Sequence, residues 1–570
     1  MKPHLRSRLR IISITLCAVA FIFVIALYYH QIIRGDVYKD KANHQYIRPS
    51  KVFDRGDIFL TQKDGTLITG AGIKSGFDLI INPKILENPE DAYKKINAIV
   101  PIDRETFLAK SAKTNDVYEE ISKRLEEVVA TKIEALGIKG VSLYKSRWRF
   151  YPGSSLAAHA LGIVSFSGNT LSGSYGLERY YNDILSRNDD GTFANFFAEV
   201  FSNVNKTVFK EGERSQGDIV LSIEPAVQAN LEATIAEIQH TYSSVLTGGI
   251  IINPTNGEIY ALAINPTFDL NNFSKEKNAA VFSNNLVERV YEMGSIVKPL
   301  TIAAGIDDGV ITAETTYEDK GFLILNGKKI SNYDGKGRGV INMQTVLNNS
   351  LNTGAAFVVT KMGNEKFSKY MRAYGLGEET GIDLPNETHG LVDKILDSPR
   401  DVEHATASFG QGIALTPIET VRALSVLANG GHLITPHLVR QTKYTLGITK
   451  DTVYGDSKQV IKPETSKEIG RMLTTVVDKA LLGGKIKMEH YSIAAKTGTA
   501  QIANPADGGY YKDRFLHSFF GYFPVNNPKF LIFLYTIEPK GVEYASHTLT
   551  MPFSELTKFI INYYQLPPDR

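Results

Sequence analysis

The sequence predicts an α+β fold in which helices cover both faces of an antiparallel sheet, preceded by a membrane anchor. Three observations support this prediction: an uncharged apolar segment near the N-terminus, two apolar runs joined by a Pro/Asn/Gly turn over residues 248–263, and two strand-like aromatic runs near the C-terminus. The chain has 570 residues, 43% of them hydrophobic and 22% charged, so it is long enough for several ordinary globular domains.

The N-terminal apolar segment, residues 11–29, contains no charged residue. At about 1.5 Å of rise per residue a helix of this length just spans a hydrocarbon core, so we predict a transmembrane helix. Basic residues are concentrated in the tail 1–10, and the positive-inside rule therefore leaves that tail cytoplasmic and the rest of the chain outside the membrane. The alternative is a signal peptide cleaved near Ala18-Val19-Ala20, but the apolar run continues past that string.

Residues 30–215 carry mixed helix and strand patterns and no grouping of catalytic side chains. The stretch 119–135 is rich in helix formers and charges, which predicts a solvated helix. We expect a pedestal or dimerisation-type domain over this range. A second domain is predicted over 216–570, opening with an alternating strand at Gly217, a helix over 225–240 and the hairpin of 248–263.

Within the second domain, Ser295 and Lys298 are three residues apart at the start of an apolar run. This spacing places both side chains on one face of a helix, within reach of each other. Burial among apolar neighbours lowers the pKa of a lysine, and such a lysine can accept the proton of a serine nucleophile. Pro299 removes a backbone donor, so we expect an irregular first turn. The same spacing recurs elsewhere in the chain, but in polar or cationic stretches.

A second string, Ser350-Leu351-Asn352, lies in a polar loop or helix end just before an apolar stretch. Alone it is typical of an N-cap and turn cluster. Beside Ser295 and Lys298, however, Ser350 becomes a candidate proton relay toward a leaving amine. Asn352 becomes a candidate amide for binding a substrate backbone.

A third string, Lys496-Thr497-Gly498-Thr499, lies in a run of small residues that we predict to be the edge strand of the antiparallel sheet. Lys496, Thr497 and Thr499 would bind a carboxylate. Gly498 would let a substrate approach the backbone closely, and the amides of Ser295 and Thr499 would form an oxyanion hole.

Composition and motif content exclude several other classes of protein. A net charge of +2 gives no reason to expect nucleic acid. The single cysteine, Cys17, lies in the apolar segment, which excludes a disulfide framework and a thiolate metal site. No HExxH string is present, and the glycine-rich strings 335–339 and 375–377 lack phosphate-loop spacing. We therefore expect no metal and no cofactor.

The three strings, in this order, resemble those of class B penicillin-binding proteins, and the likeness extends over most of the chain. The further strings that resemble this family are Arg55-Gly56 with Asp64-Gly65, Arg149-Phe150-Tyr151-Pro152, Gly176-Leu177-Glu178, Gly381-Ile382-Asp383-Leu384-Pro385 and Ser408-Phe409-Gly410-Gln411-Gly412. Two features depart from the family pattern. Met293 stands where proline is usual before Gly294-Ser295, and extra residues separate Arg55-Gly56 from Asp64-Gly65. Residues 30–215 lack the Glu-Asp-x-x-Phe string of bifunctional class A relatives.

The resemblance implies a serine D,D-transpeptidase. Ser295 would attack the carbonyl between the two terminal D-alanines of a peptidoglycan stem peptide, Lys298 would accept its proton, and the amine of a neighbouring stem would then attack the acyl-enzyme. β-Lactams would acylate the same serine. The string at 408–412 and the chain length resemble the division-specific branch, which implies a membrane-embedded glycosyltransferase and divisome proteins as partners.

Four alternatives remain open at this point. Side-wall elongation uses the same chemistry at another place in the cell. A β-lactamase would turn penicillin over instead of keeping an acyl adduct. A D,D-carboxypeptidase would use water as the acceptor, and a non-catalytic divisome scaffold would not be acylated.

Overall fold

The computed structural model describes residues 53–167, 170–187, 216–445, 447–455, 457–506 and 508–570, together with Phe21. The described residues fall into two compact units, one formed by residues 73–148 and the other by residues 55–72, 149–187 and 216–570. The predicted boundary between 215 and 216 stays a prediction. No helix in these ranges is long and apolar enough to cross a bilayer. The predicted anchor, residues 11–29, lies outside the described residues except for Phe21.

The unit of residues 73–148 packs helices against a small sheet. Its strands are residues 73–81 of Leu67–Ile81, then Glu119–Leu125 and residues 141–148 of Val141–Phe150, and its helices are Pro89–Asn97, Arg104–Ser111 and Glu127–Glu134. Asn88 and Asp103 cap the first two helices by accepting hydrogen bonds from Asp91 N and Thr106 N. Leu79, Ile96 and Phe107 are buried in the core.

The helix predicted over 119–135 is wrong in its first half, because Glu119–Leu125 is a strand and a helix begins only at Glu127. The strand pairs antiparallel with the preceding one, with Ile81 opposite Glu119, and its last residue, Leu125, enters the core. Helix propensity is a weak preference that backbone pairing and burial override here.

The other unit is built on a five-stranded antiparallel sheet, which confirms the predicted fold class. Its strands, in spatial order, are Ala494–Asn504, Gly509–Phe523, Phe530–Ile537, Leu246–Ile252 and Ile259–Asn265. The last two form the predicted hairpin, with Ile250 opposite Leu262. The strand Ala494–Asn504 lies at the edge of the sheet, as predicted for the third string.

Residues alternate between two hydrophobic cores along these strands. Ile250 belongs to the core on one face of the sheet, whereas Ile251 belongs to the core on the other. Phe520 and Phe519 divide in the same way. Because successive strand side chains point to opposite faces, a continuous apolar run is what a sheet covered on both sides requires.

Helices cover both faces of this sheet. The helices Pro225–Tyr242 and Thr550–Tyr564 contribute to the core that contains Ile251. The remaining helices are Ala158–Leu161, Gly176–Tyr180, Asn182–Leu185, Asn285–Glu288, Lys298–Asp307, Met343–Asn348, Asn352–Met362, Asn364–Ala373, Asp393–Leu396, Asp401–Ala407, Pro417–Ser425, Pro463–Thr475 and Ala545–Thr548. Helix Pro417–Ser425 begins at a capping box between Thr416 and Glu419.

The same unit contains shorter strand groups. The strands Ile58–Thr61, Gly217–Leu221, Val439–Tyr444 and Thr449–Asp451 pair in a second sheet with residues 67–72 of Leu67–Ile81. Two-stranded pairs are formed by Val164–Ser167 with Thr170–Gly173, Thr316–Asp319 with Gly339–Asn342, Phe322–Leu325 with Lys328–Ser331, and His432–Leu433 with Lys458–Gln459.

A buried ion-pair cluster joins three of the strings that resemble the family. Glu178 has no solvent-exposed surface, and its carboxylate accepts a hydrogen bond at 2.5 Å from Arg55 Nε and another at 2.6 Å from Arg149 Nε. Arg149 also donates to the carbonyl of Gly56 at 2.8 Å, and the hydroxyl of Tyr151 donates to Glu178 at 3.2 Å. These strings therefore have a structural role within one buried network.

Candidate active site

The first string opens with a single turn of 3₁₀-helix, Gly294–Val297, which leads directly into the α-helix Lys298–Asp307. This is the irregular first turn expected from Pro299, which occupies one of the first positions of the α-helix, where its missing donor is tolerated. Lys298 keeps α-helical angles, φ −53° and ψ −41°, although a proline follows it. The change of helix type places Ser295 at the rim of the site and Lys298 inside it.

Ser295 and Lys298 are in direct contact. Lys298 Nζ lies 2.8 Å from Ser295 Oγ and donates a hydrogen bond of 2.6 Å to the backbone carbonyl of Ser350. Lys298 has no exposed surface. Burial, and secondarily the positive charge of Lys496, hold the pKa of Lys298 well below its usual range. A neutral amine next to a serine hydroxyl can take up its proton.

Ser350 bridges the two lysines. Its hydroxyl oxygen lies 3.1 Å from Lys298 Nζ and 3.0 Å from Lys496 Nζ. The backbone of Ser350 has φ +54°, a left-handed conformation that is rare for residues other than glycine, asparagine and aspartate. Such a conformation persists only where the surroundings impose it, and here it holds the hydroxyl between two nitrogen atoms.

Asn352 begins the helix Asn352–Met362 and lines the same pocket. Its amide nitrogen donates to the carbonyl of Ser331 at 2.9 Å, which leaves the amide oxygen as the atom that can face a substrate N–H. The next residue, Thr353, donates to the buried carboxylate of Asp319 at 2.8 Å, and Asn332 donates to the same group at 3.0 Å. Hydrogen bonds to Ser331 and Asp319 therefore fix the positions of Asn352 and of Thr353, which follows it.

The third string lies on the edge strand, where Lys496 points inward and is 2% exposed. Burial lowers the pKa of Lys496 to about 7. Besides Ser350, its ammonium contacts the carbonyl of Thr497 at 2.9 Å. Thr497 and Thr499 are half-buried and line the pocket.

Packing within the protein requires a glycine at Gly498, whereas the predicted reason is the close approach of a substrate to the backbone. A Cβ at this position would lie 2.3 Å from Ser518 Oγ and 2.6 Å from the carbonyl of Met293, on the loop that carries Ser295. The absence of a side chain therefore lets the edge strand lie against the nucleophile loop. Similarly, a Cβ added at Gly294 would lie 2.7 Å from the carbonyl oxygen of Thr499.

These groups open into a cavity of about 720 Å³. All three strings contribute to its wall, through Ser295, Ser350 with Asn352, and Lys496 with Thr497 and Thr499. Lys298 lies behind this wall. A volume of this size is that of a small-molecule or peptide-end site. Within the described ranges no three His, Cys, Asp or Glu side chains come together as metal ligands.

Comparison with known proteins identifies the family. The model of the penicillin binding protein transpeptidase domain matches residues 247–556, which cover the sheet and all three strings. The chain belongs to the penicillin-binding protein transpeptidase family. This match, together with relatives such as Stage V sporulation protein D, confirms the identification as a class B penicillin-binding protein.

Individual relatives cover nearly the whole chain. This penicillin-binding protein is 30% identical to Stage V sporulation protein D of Bacillus subtilis over 96% of its own length and 84% of the relative. It is 25% identical to the peptidoglycan D,D-transpeptidase FtsI of Buchnera aphidicola (subsp. Schizaphis graminum) over 98% of its length and 95% of the relative. Among solved structures it has the fold of penicillin binding protein 3 from Mycobacterium tuberculosis complexed with ampicillin, with a TM-score of 0.69, 20% identity, 91% of this chain covered and 97% of the other.

Several residues of the pocket of this penicillin-binding protein were not predicted as site residues. Phe409 and Gln411 line the pocket, and both lie in the string 408–412, whose likeness to the family predicts no site residue by itself. Tyr333 and Tyr544 also line it, with their rings edge to face and 5.9 Å between centroids. No local pattern marks these two tyrosines, because they are more than 200 residues apart and meet only in the fold.

Proposed function

We propose that this penicillin-binding protein is a serine D,D-transpeptidase that cross-links peptidoglycan stem peptides through an acyl-enzyme on Ser295. The observation that carries the proposal is the 2.8 Å contact between Ser295 Oγ and the buried nitrogen of Lys298. A nucleophile and its base at hydrogen-bond distance, with the base held neutral by burial, is the arrangement that serine acylation requires.

In the proposed reaction, Ser295 Oγ forms a bond to the carbonyl carbon between the two terminal D-alanines as its proton moves to Lys298 Nζ. The C–N bond to the last D-alanine then breaks, and the leaving nitrogen receives a proton from Ser350, which Lys298 reprotonates over the 3.1 Å contact. An amine of a second stem next attacks the ester carbonyl. As the new amide bond forms, the ester C–O bond to Ser295 breaks, and the proton of the amine passes through Ser350 and Lys298 to Ser295 Oγ, which restores the free enzyme and releases the cross-linked product.

Substrate binding is assigned to the groups around this path. The amides of Ser295 and Thr499 would stabilise the oxyanion, and loss of one such donor reduces rates by about 100- to 1000-fold in a comparable serine hydrolase. Lys496, Thr497 and Thr499 would bind the terminal carboxylate, with Gly498 keeping the strand close to the nucleophile. An anionic substrate end beside Lys496 would also raise the pKa of that lysine again and so favour its charged form.

The first experiment is covalent labelling. We expect intact-mass spectrometry to find one adduct after incubation with a penicillin, and none in Ser295→Ala. A persistent adduct distinguishes this function from a β-lactamase, and product analysis with an acceptor stem present distinguishes it from a carboxypeptidase. Labelling of Ser295→Ala would contradict the assignment of the nucleophile.

Cellular placement is the second part of the proposal. Residues 11–29 would anchor a single-pass protein of the cytoplasmic membrane, with 1–10 inside, a pedestal over 30–215 and the transpeptidase domain over 216–570 outside. The family likeness at 408–412 favours septal wall synthesis, with a membrane-embedded glycosyltransferase and divisome proteins as partners. A tagged copy should concentrate at mid-cell; an even distribution along the side wall would instead favour elongation.

A further inference from the structure

The segment 543–548 forms one wall of the pocket beside the third string. Glu543, Tyr544 and Ser546 line the cavity, and the segment ends in the short helix Ala545–Thr548. The backbone N–H of Ala545 donates a 3.1 Å hydrogen bond to Thr499 Oγ1. The wall is therefore attached directly to a hydroxyl that the proposed function assigns to carboxylate binding.

A buried histidine holds this wall from behind. His517 lies directly opposite Thr499 in the antiparallel ladder, on the same face of the sheet, and has no exposed surface. Its Nε2 lies 3.0 Å from the carbonyl oxygen of Glu543, and its Nδ1 lies 3.0 Å from Thr548 Oγ1. The imidazole thus contacts the segment on both sides of Ala545.

The chemistry of these partners fixes the tautomer. A carbonyl oxygen can only accept, so Nε2 carries the hydrogen and donates to Glu543. In the neutral ring Nδ1 is then an acceptor, and it can receive the single hydrogen of the Thr548 hydroxyl, which also lies 3.2 Å from the carbonyl oxygen of Ala545. Burial lowers the pKa of His517 to about 4, so the ring stays neutral in this tautomer at ordinary pH.

The position of the wall decides how the Thr499 hydroxyl is used. A hydroxyl has one hydrogen and two acceptor positions, and the N–H of Ala545 occupies one of the latter. The hydrogen of Thr499 is thereby left to donate into the cavity that this residue lines. Ala545 lies between Glu543 and Thr548 in the chain, and its carbonyl oxygen is 3.2 Å from Thr548 Oγ1, so its position is coupled to theirs.

We propose that His517 is a positioning residue for substrate binding: by fixing Glu543 and Thr548 it holds Ala545 against Thr499 and so presents the Thr499 hydroxyl to the carboxylate of the substrate. This inference rests on the proposed transpeptidase function and adds to it a residue that touches no substrate. We therefore expect a substitution of His517 to slow acylation by ligands that carry the carboxylate more than acylation by matched ligands that lack it.

The test compares acylation by a fluorescent penicillin and by its methyl ester, which differ only at the carboxylate. In the full-length wild-type protein we expect the free acid to react faster than the ester. In His517→Leu the ratio of the two second-order rate constants should fall about tenfold or more, because sub-ångström misplacement of a binding group has effects of this order. His517→Gln keeps a donor for Glu543 and should retain most of the ratio.

A matched control is available in the same unit. His159 is also buried, with its Nε2 2.9 Å from the carbonyl of Val281 and its pKa lowered by burial to about 4, but Val281, unlike Glu543, does not line the cavity. His159→Leu should lower thermal stability and leave the acid-to-ester ratio unchanged. If His517→Leu does not fold, Thr548→Val removes the contact to Nδ1 together with the 3.2 Å contact from Thr548 Oγ1 to the carbonyl oxygen of Ala545, and should lower the ratio in the same direction.

Three results would overturn the inference. An unchanged ratio in labelled His517→Leu or Thr548→Val protein overturns the role of His517 alone. An equal fall of the acid-to-ester ratio in His159→Leu would show that loss of any buried histidine loosens the protein. That result would also overturn the inference. Absence of any labelling in the wild-type protein overturns the proposed function, and the inference with it.

Discussion

Lys298 Nζ and Ser295 Oγ lie 2.8 Å apart across a turn in which a 3₁₀-helix changes into an α-helix. The lysine is fully buried behind the serine, so its nitrogen reaches the pocket only through the hydroxyls of Ser295 and Ser350. Proton transfer in this site therefore passes along side chains that are already hydrogen-bonded to one another.

Lys298→Met should remove acylation while leaving the fold intact. The variant keeps most of the side-chain volume but has no base, and general-base contributions are typically about 100- to 10,000-fold. The measurement is the rate of penicillin adduct formation by intact-mass spectrometry. Lys361→Met, on the exposed end of helix Asn352–Met362, serves as the control and should react like wild type. Wild-type rates in Lys298→Met would contradict the base assignment.

The pH profile of acylation should be bell-shaped. The acid limb reflects protonation of Lys298, whose pKa burial lowers, so rates rise with pH as this base becomes neutral. The alkaline limb reflects loss of the positive charge of Lys496, whose pKa is about 7. The arginine in Lys496→Arg stays positively charged throughout this pH range. The alkaline limb should therefore move to higher pH by about one unit or more. An alkaline limb at the same pH in this variant would assign that limb to another group.

Lys496→Met should make the protein more stable at pH 7 and inactive. The folded-state pKa of about 7 lies below the unfolded value of 10.5, so between these two pH values the unfolded chain binds more protons and wild-type stability rises with pH. Replacing even a buried ion pair, whose charges compensate each other, by well-packed apolar residues is often neutral or stabilising by about 1 to 4 kcal/mol, and among the described residues Lys496 hydrogen-bonds only to a hydroxyl and a carbonyl. Denaturant unfolding should find the gain at pH 7 and a smaller one near pH 10. A destabilised variant at pH 7 would contradict this account.

Glu178→Ala should destabilise the unit strongly, since Arg55 and Arg149 would be left buried without their shared carboxylate. Breaking one partner of such a cluster typically costs about 3 to 5 kcal/mol. Asp397→Asn removes a 2.7 Å pair with Arg372 that is exposed on both sides, and should change stability by less than about 1 kcal/mol. Equal free energies of unfolding for the two variants would show that the buried cluster contributes little.

The sequence predicted those features that local pattern controls. The hairpin over 248–263 follows from two apolar runs with a turn between them, and the irregular turn at Pro299 follows from a missing donor. Where pairing partners lie far away the prediction failed: Glu119–Leu125 became a strand because residues 77–81 offered it a ladder. Tyr333 and Tyr544 had no local signal at all, since their meeting depends on packing between segments distant in the chain.

The sequence by itself determined the chemistry of this protein, because Ser295, Lys298, Ser350 and Lys496 are groups whose reactivity follows from their atoms and whose order matches a known family. Only the tertiary structure decided how those groups act. It buried Lys496 as well as Lys298, for which the sequence already predicted burial and a lowered pKa, and it forced Ser350 into a left-handed conformation between them. It also placed His517 behind Thr499. The burial of Lys496 and the distances between remote residues arise only when the chain is packed, so neighbouring residues in the sequence do not determine them.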